Sequence, residues 1–183
     1  MWCEAANNVL HSDFRSGSRL EELRAAAALG PLRRSQLFVG PRDTLSSAHY
    51  DQVDNLFLQV KGQKHFLIFD PRCAEGLCPF PVCHPHDRHA MLDLERPDGG
   101  AFPHARALLE GAGVTTTLAE GECLYIPTHW WHHVTAGPGQ AAGQATSSSA
   151  VGGGEGLNVS LNFWFDISET VFSPRFLLLP HLE

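Results

Sequence analysis

A chain of 183 residues, 43% of them hydrophobic, holds enough apolar material for one domain with a core and too much for a disordered chain. Its net charge of −7 excludes a general nucleic-acid binder, which would carry a basic face. No run reaches the roughly 20 apolar residues of a membrane span, and the start at Met1, Trp2, Cys3 and Glu4 lacks the features of a secretory leader. The expectation is a cytoplasmic or nuclear protein that binds neither nucleic acid nor membrane.

The first predicted element is a helix over about 19–29, with Ser18 as its N-cap and Gly30-Pro31 as its stop. The apolar run 36–40 reads as a strand. Residues 55–61 alternate, with Leu56, Leu58 and Val60 on one face and Asn55, Phe57 and Gln59 on the other. Residues 64–70 alternate again, with Lys64, Phe66 and Ile68 together. The tight Lys61-Gly62-Gln63-Lys64 link predicts a β-hairpin between the two.

Residues 73–100, rich in Pro, His and Asp, read as a long functional loop. Five cysteines, Cys3, Cys73, Cys78, Cys83 and Cys123, match no disulfide framework or zinc spacing and read as free thiols. A zinc site built from His84, His86 and His89 with these cysteines lacks a tetrahedral pattern.

A short helix over 104–110 and strands over 115–118 and 122–127 follow. The stretch 137–156 is a Gly-, Ala-, Gln- and Ser-rich insertion with almost nothing to bury. The last strand, 157–165, alternates Ser160, Asn162 and Trp164 against Leu161, Phe163 and Phe165. Many short strands with turn signals predict a mainly β fold, an antiparallel barrel or double-sheet jelly roll.

Chemistry concentrates in two places. His49-Tyr50-Asp51 puts an imidazole and a carboxylate two residues apart, on one side of an extended segment. A distant histidine would complete a two-histidine, one-carboxylate facial triad, which leaves positions open on Fe(II) for oxygen chemistry. The string from Leu124 to Val134 offers His129, His132 and His133. Alternation separates His132 and Val134 from His133 without saying which face looks inward.

Ala48-His49-Tyr50-Asp51, residues 55–62 with Lys64, Leu124-Tyr125-Ile126-Pro127 with Trp130-Trp131-His132-His133, and Asn162-Phe163-Trp164 together resemble the JmjC oxygenases. Pro79-Phe80-Pro81-Val82, His84-Pro85 and Asp87-Arg88 make the resemblance strongest to the subgroup of the asparaginyl hydroxylase called factor inhibiting HIF. The resemblance implies a single cupin-type, double-stranded β-helix (jelly-roll) domain spanning 1–183, with a few flanking helices and a barrel core over about 36–165. It assigns Fe(II) to His49, Asp51 and His132, with O2 and 2-oxoglutarate as co-reactants. It implies that Lys64 pairs with the far carboxylate of 2-oxoglutarate, that Ser46 stands in for a threonine on that carboxylate, and that Asn55, Asn162 and Trp164 line the site. Arg88, His89 and Tyr50 fall where the family meets its peptide, with His89 in place of a glutamine. The implied activity is hydroxylation of a protein or peptide substrate at Asn, or at Asp or His. The alternatives are a hydroxylase or demethylase for Lys, Arg or His, and a cupin-fold binding module without turnover. The family's longer N-terminal region and C-terminal dimerising helices have no counterpart here, so the expectation is a barrel cut short at both ends, with a homodimer only in a full-length form.

Overall fold

A computed structural model describes residues 19–137 and 157–167. The predicted insertion, apart from Gly137, and Cys3 lie outside the described residues.

Helix α1 (Arg19–Ala26) stops before the predicted Leu29. Ala28 adopts a left-handed conformation (φ 52°), and the Leu29 N–H donates back to the Arg24 carbonyl at 2.9 Å. Eight strands follow among the described residues: β1 (Leu32–Pro41), β2 (Leu45–Tyr50), β3 (Asp54–Lys61), β4 (Lys64–Phe69), β5 (Gly113–Leu118), β6 (Cys123–Ile126), β7 (Trp131–Ala136) and β8 (Leu157–Phe165). Between β4 and β5 lie a 3-10 turn (Pro71–Cys73), helix α2 (Ala74–Leu77) and helix α3 (Ala105–Leu109). Strand β1 is longer than its apolar run because it pairs with β8 along its whole length, from Leu32 opposite Phe165 to Pro41 opposite Leu157.

The strands form two antiparallel four-stranded sheets, ordered β1-β8-β3-β6 and β2-β7-β4-β5. This is the jelly-roll arrangement, and it corrects the predicted hairpin. Strands β3 and β4 do not pair with each other. Strand β3 lies between β8 and β6, whereas β4 lies between β7 and β5 in the other sheet. The link through Gly62 crosses between sheets. Gly62 has a left-handed φ of 77°, and a Cβ there would meet the Asn158 side chain at 2.9 Å, so the crossing needs glycine.

Apolar residues divide among three clusters. Phe57, Phe66, Leu118, Ile126 and Val134 fill one part of the space between the sheets. Leu29, Leu56, Leu161, Phe163 and Phe165 pack on the outer face of the first sheet, with Leu20 of α1 against them. Ala48, Phe69, Leu77 and Trp131 join the 71–112 connection to the outer face of the second. Both faces of β3 and β8 are therefore largely buried, and the outer faces carry much of the apolar load. The inner face of β8 is left with polar residues, Asn158, Ser160 and Asn162, all buried. At this end of the fold the first sheet is thus apolar outside and polar inside.

Candidate metal centre

The ligand atoms of His49, Asp51 and His132 all lie within 4.8 Å of one another, and this is the one such cluster of ligating side chains among the described residues. His49 is the penultimate residue of β2 and His132 the second of β7, and the two are directly opposed across the ladder. Their ring centroids are 4.3 Å apart. Asp51 follows β2 immediately, and its Oδ2 lies 4.0 Å from His132 Nε2.

The alternation of β7 separates the three histidines and brings His132 to His49 and Asp51. His132 and Val134 face the interior, with Val134 in the inter-sheet cluster. His133 faces the other way, where its Nε2–H donates to Glu95 Oε1 at 2.7 Å and ties the long connection to β7. His129 serves the backbone. It sits in a left-handed turn (φ 64°), and its N–H donates to the Asp51 carbonyl at 2.8 Å. Asp54 holds the same turn, accepting from the Thr128 N–H at 2.9 Å and the Tyr125 hydroxyl at 3.0 Å.

The ring tautomers follow from the partners. A carbonyl can only accept, so His49 Nδ1–H donates to Ser47 O at 2.7 Å and His132 Nδ1–H donates to Trp130 O at 3.0 Å. Each neutral ring is left with a lone pair on Nε2, as a metal ligand requires. Burial, with His132 beside it, holds His49 well below the ordinary histidine range, at about 4, and burial also lowers His132. Both imidazoles are therefore neutral near pH 7. The Trp164 indole N–H donates to Asp51 Oδ2 at 3.0 Å and fixes the carboxylate. The donor set, its tautomers and its orienting partner fit a divalent transition metal with vacant positions.

An irregularity in β2 makes room for this arrangement. Ser46 opposes Val134 and His49 opposes His132, so three residues of β2 span two of β7. In a regular strand, Ser46 and His49 would face opposite sides. The extra residue turns both to the face of His132 and Val134.

The inner face of the first sheet carries Trp164 beside Asp51 and, further along, Asn55, Asn162, Gln59 and Ser160. Asn55 opposes Trp164, Phe57 opposes Asn162, and Gln59 opposes Ser160. The buried Asn55 leaves both amide atoms without a partner, as do Asn162 and Gln59 at their side-chain oxygens. Buried polar atoms are ordinarily satisfied, so these orphans mark where a polar ligand belongs. Lys64 of β4 reaches across to donate to Ser160 Oγ at 2.8 Å, with its ammonium 4.8 Å from the Phe57 ring centre. No carboxylate of the described residues comes within ion-pair distance of it. Burial lowers its pKa from 10.5 to about 8.

The remaining predicted residues surround the triad unevenly. His89 bridges to His49, and the two rings stack at 5.2 Å. The Arg88 carbonyl accepts the Tyr50 N–H at 3.1 Å. The Tyr50 ring itself turns to the outer face, edge-on to Trp131 at 4.8 Å. Ser46 is exposed. His84 and His86 stack around Phe80, apart from any ligand cluster, and Cys73, Cys78, Cys83 and Cys123 are free thiols. Ser160, Glu95 and Asp54 were given no role from sequence. Ser160 had a signal, since alternation put it on the face of Asn162.

Fold and site together define a jelly-roll domain with a two-histidine, one-carboxylate donor set facing its interior. The chain belongs to the cupin-like domain family, whose model matches residues 3–170. It is similar to JmjC proteins. It is 33% identical over 98 residues to JmjC domain-containing protein D of Dictyostelium discoideum, covering 53% of this chain and 21% of that protein. It is 28% identical over 120 residues to lysine-specific demethylase JMJ31 of Arabidopsis thaliana, covering 66% and 18%. It is 31% identical over 97 residues to lysine-specific demethylase 8 of Xenopus tropicalis, covering 53% and 21%. The matched region thus spans about a fifth of the length of these relatives. Particular closeness to factor inhibiting HIF is not among these findings.

Proposed function

We propose that this domain is an Fe(II)- and 2-oxoglutarate-dependent oxygenase acting on a protein or peptide side chain. The observation that carries the reading is the pairing of the His49–Asp51–His132 donor set with a half-buried Lys64 ammonium that has no carboxylate partner among the described residues, along one polar wall. A diacid suits that wall. Lys64 and the Ser160 hydroxyl take its far carboxylate, and the orphaned amides of Asn55 and Asn162 meet its polar atoms. Ser46, on the same face of the other sheet, is a further hydroxyl for that end.

His49 and His132 would hold the ion through Nε2 and Asp51 through a carboxylate oxygen. When bound, the ion supplies the O2 chemistry that couples oxidative decarboxylation of 2-oxoglutarate to oxidation of a substrate C–H bond. The protein's part is placement. Trp164 orients Asp51, the backbone carbonyls of Ser47 and Trp130 orient the rings, and Val134 and Phe66 keep the neighbouring interior apolar.

For the substrate, hydroxylation of an asparagine is the first reading, with aspartate or histidine behind it. His89 Nδ1–H donates to the Asp87 carbonyl at 3.1 Å, which leaves Nε2 free to meet a substrate amide. Demethylation of an N-methyl-lysine is the second reading, favoured by the names of two of the relatives above.

Protein supplied with Fe(II), 2-oxoglutarate, O2 and candidate peptides is expected to form succinate and to add one oxygen to the asparagine peptide. Loss of a methyl group from a methyl-lysine peptide selects the second reading. Asp51→Ala and His132→Ala are each expected to abolish succinate formation. Turnover that survives both removes the triad from the mechanism, and no turnover with any peptide leaves a binding module.

A further inference from the structure

Arg34 has no part in the reading above, and Arg88 has one only through the family resemblance. Arg34 lies on β1 opposite Trp164, on the inner face of the first sheet. Its guanidinium carbon sits 4.5 Å from the centre of the Trp164 ring, the same ring whose N–H holds Asp51. Arg34 is exposed, and no ion pair is formed by it among the described residues. Its neighbour Arg33 faces elsewhere and reaches Asp166 at 3.4 Å.

Strand β1 is the edge of the first sheet and β2 the edge of the second. On the β2 side, Arg88 is joined through its carbonyl to Tyr50, between two metal ligands, and the His49–His89 bridge continues the sheet beyond β2. The Arg88 side chain is partly exposed and loosely paired with Asp87, at 3.6 Å. The Arg34 guanidinium is thus one contact removed from Asp51, through Trp164, while Arg88 joins the strand carrying His49 through its backbone carbonyl. Of the other carboxylates around the site, Asp51 belongs to the donor set, Asp54 is taken up by Tyr125 and Thr128, and Glu95 by His133 on the far face. Asp87 and Asp166 are drawn to Arg88 and Arg33, which leaves Arg34 without a carboxylate partner among the described residues.

We infer that Arg34, stacked on Trp164, and Arg88 form a cationic rim that selects an acidic peptide segment, with Arg34 as a specificity-determining residue. Stacking fixes the guanidinium plane while leaving its N–H edge in solvent, so docking a carboxylate there requires little ordering of the arginine. Rim charges of this kind govern capture of the partner and its salt dependence. A lysine-rich segment would meet two like charges. The inference rests on the oxygenase reading only for the identity of the site; the docking itself needs no turnover.

The test uses the protein loaded with Mn(II) and a non-reactive 2-oxoglutarate analogue. Binding is read by fluorescence anisotropy at low and physiological salt. The probes are a labelled peptide with glutamates flanking one asparagine and the same peptide with lysines in their place. The acidic probe is expected to bind more tightly, with an advantage that shrinks as salt rises. Arg34→Gln is expected to weaken it about threefold, as for one exposed charge pair, and Arg34→Glu to reverse the preference. Arg33→Glu makes the same charge change one residue away and is expected to leave the preference standing.

Equal binding of the probes, tighter binding of the basic probe, or an acidic preference untouched by Arg34→Glu overturns the inference. So does an equal effect of Arg33→Glu, which would reduce it to net charge. Succinate formation measured separately keeps the two readings distinct. Turnover without acidic preference removes the rim and keeps the oxygenase, and an Arg34-dependent preference without turnover does the reverse.

Discussion

Asp51 is where most of the site's local interactions meet. Its side chain takes the Trp164 indole N–H and lies near His132, while its carbonyl takes the His129 N–H. Replacing Trp164 by Phe keeps an aromatic ring but removes the donor that orients the carboxylate and leaves a gap in a buried position. Metal affinity is expected to fall about tenfold to a hundredfold, read by titration with Mn(II), with a modest loss of thermal stability from the smaller ring. Lys64 gives a second prediction, in pH. Its pKa in the folded protein is lowered to about 8 by burial, against 10.5 when free. Between those values the unfolded chain holds a proton that the folded one has lost, so the ligand-free protein gains stability from this group as pH rises from about 8 toward 10.5. Diacid binding runs the other way, because it needs the ammonium. The affinity for 2-oxoglutarate is expected to weaken as pH climbs above about 8 in calorimetric titrations, and Lys64→Met is expected to remove that dependence together with most of the affinity.

At the scale of elements, β2 carries the decisive irregularity. Deleting Ser47 would restore a regular ladder in which Ser46 and His49, then two residues apart, still share the inner face. The expected result is a folded protein that still binds Mn(II), read by circular dichroism and metal titration on one sample. The bulge also shows where sequence reading stopped. The pair His49 and Asp51 was legible because residues two apart share a side. The inner face of β8 was legible from strict alternation, and its bounds, Leu157–Phe165, match the prediction. The bulge was not legible, because an extra residue leaves no mark until the partner strand is known. Alternation alone could not choose His132 over His133, and only the family resemblance assigned it. The β3–β4 link was misread for a related reason. Lys61-Gly62-Gln63 has the chemistry of a tight turn, but turn chemistry does not say whether the next strand joins the same sheet or the opposite one.

For the whole molecule, the triad acts as a clasp. It joins the end of β2, the residue beyond it and the start of β7, and through Trp164 it reaches the other sheet. Any ion that binds only the folded chain stabilises it, by about 2.7 kcal/mol at a hundredfold excess over its Kd. Mn(II) is therefore expected to raise the melting temperature by several degrees, and EDTA to reverse the gain. His132→Ala is expected to abolish the metal-dependent shift. A melting temperature indifferent to metal in the unsubstituted protein would mean that the three side chains do not share an ion.

The alternation of strands between sheets has a consequence for how the chain folds. Apart from β4 and β5, which meet across the long 71–112 connection, consecutive strands never lie in the same sheet. Almost every ladder therefore joins distant parts of the sequence, the condition under which single domains fold in milliseconds to seconds rather than microseconds. The last strand, β8, sits between the first and third. A chain emerging from the ribosome must hold β1 and β3 without their shared neighbour until residue 165 is free, and only then can the wall facing the metal ligands form.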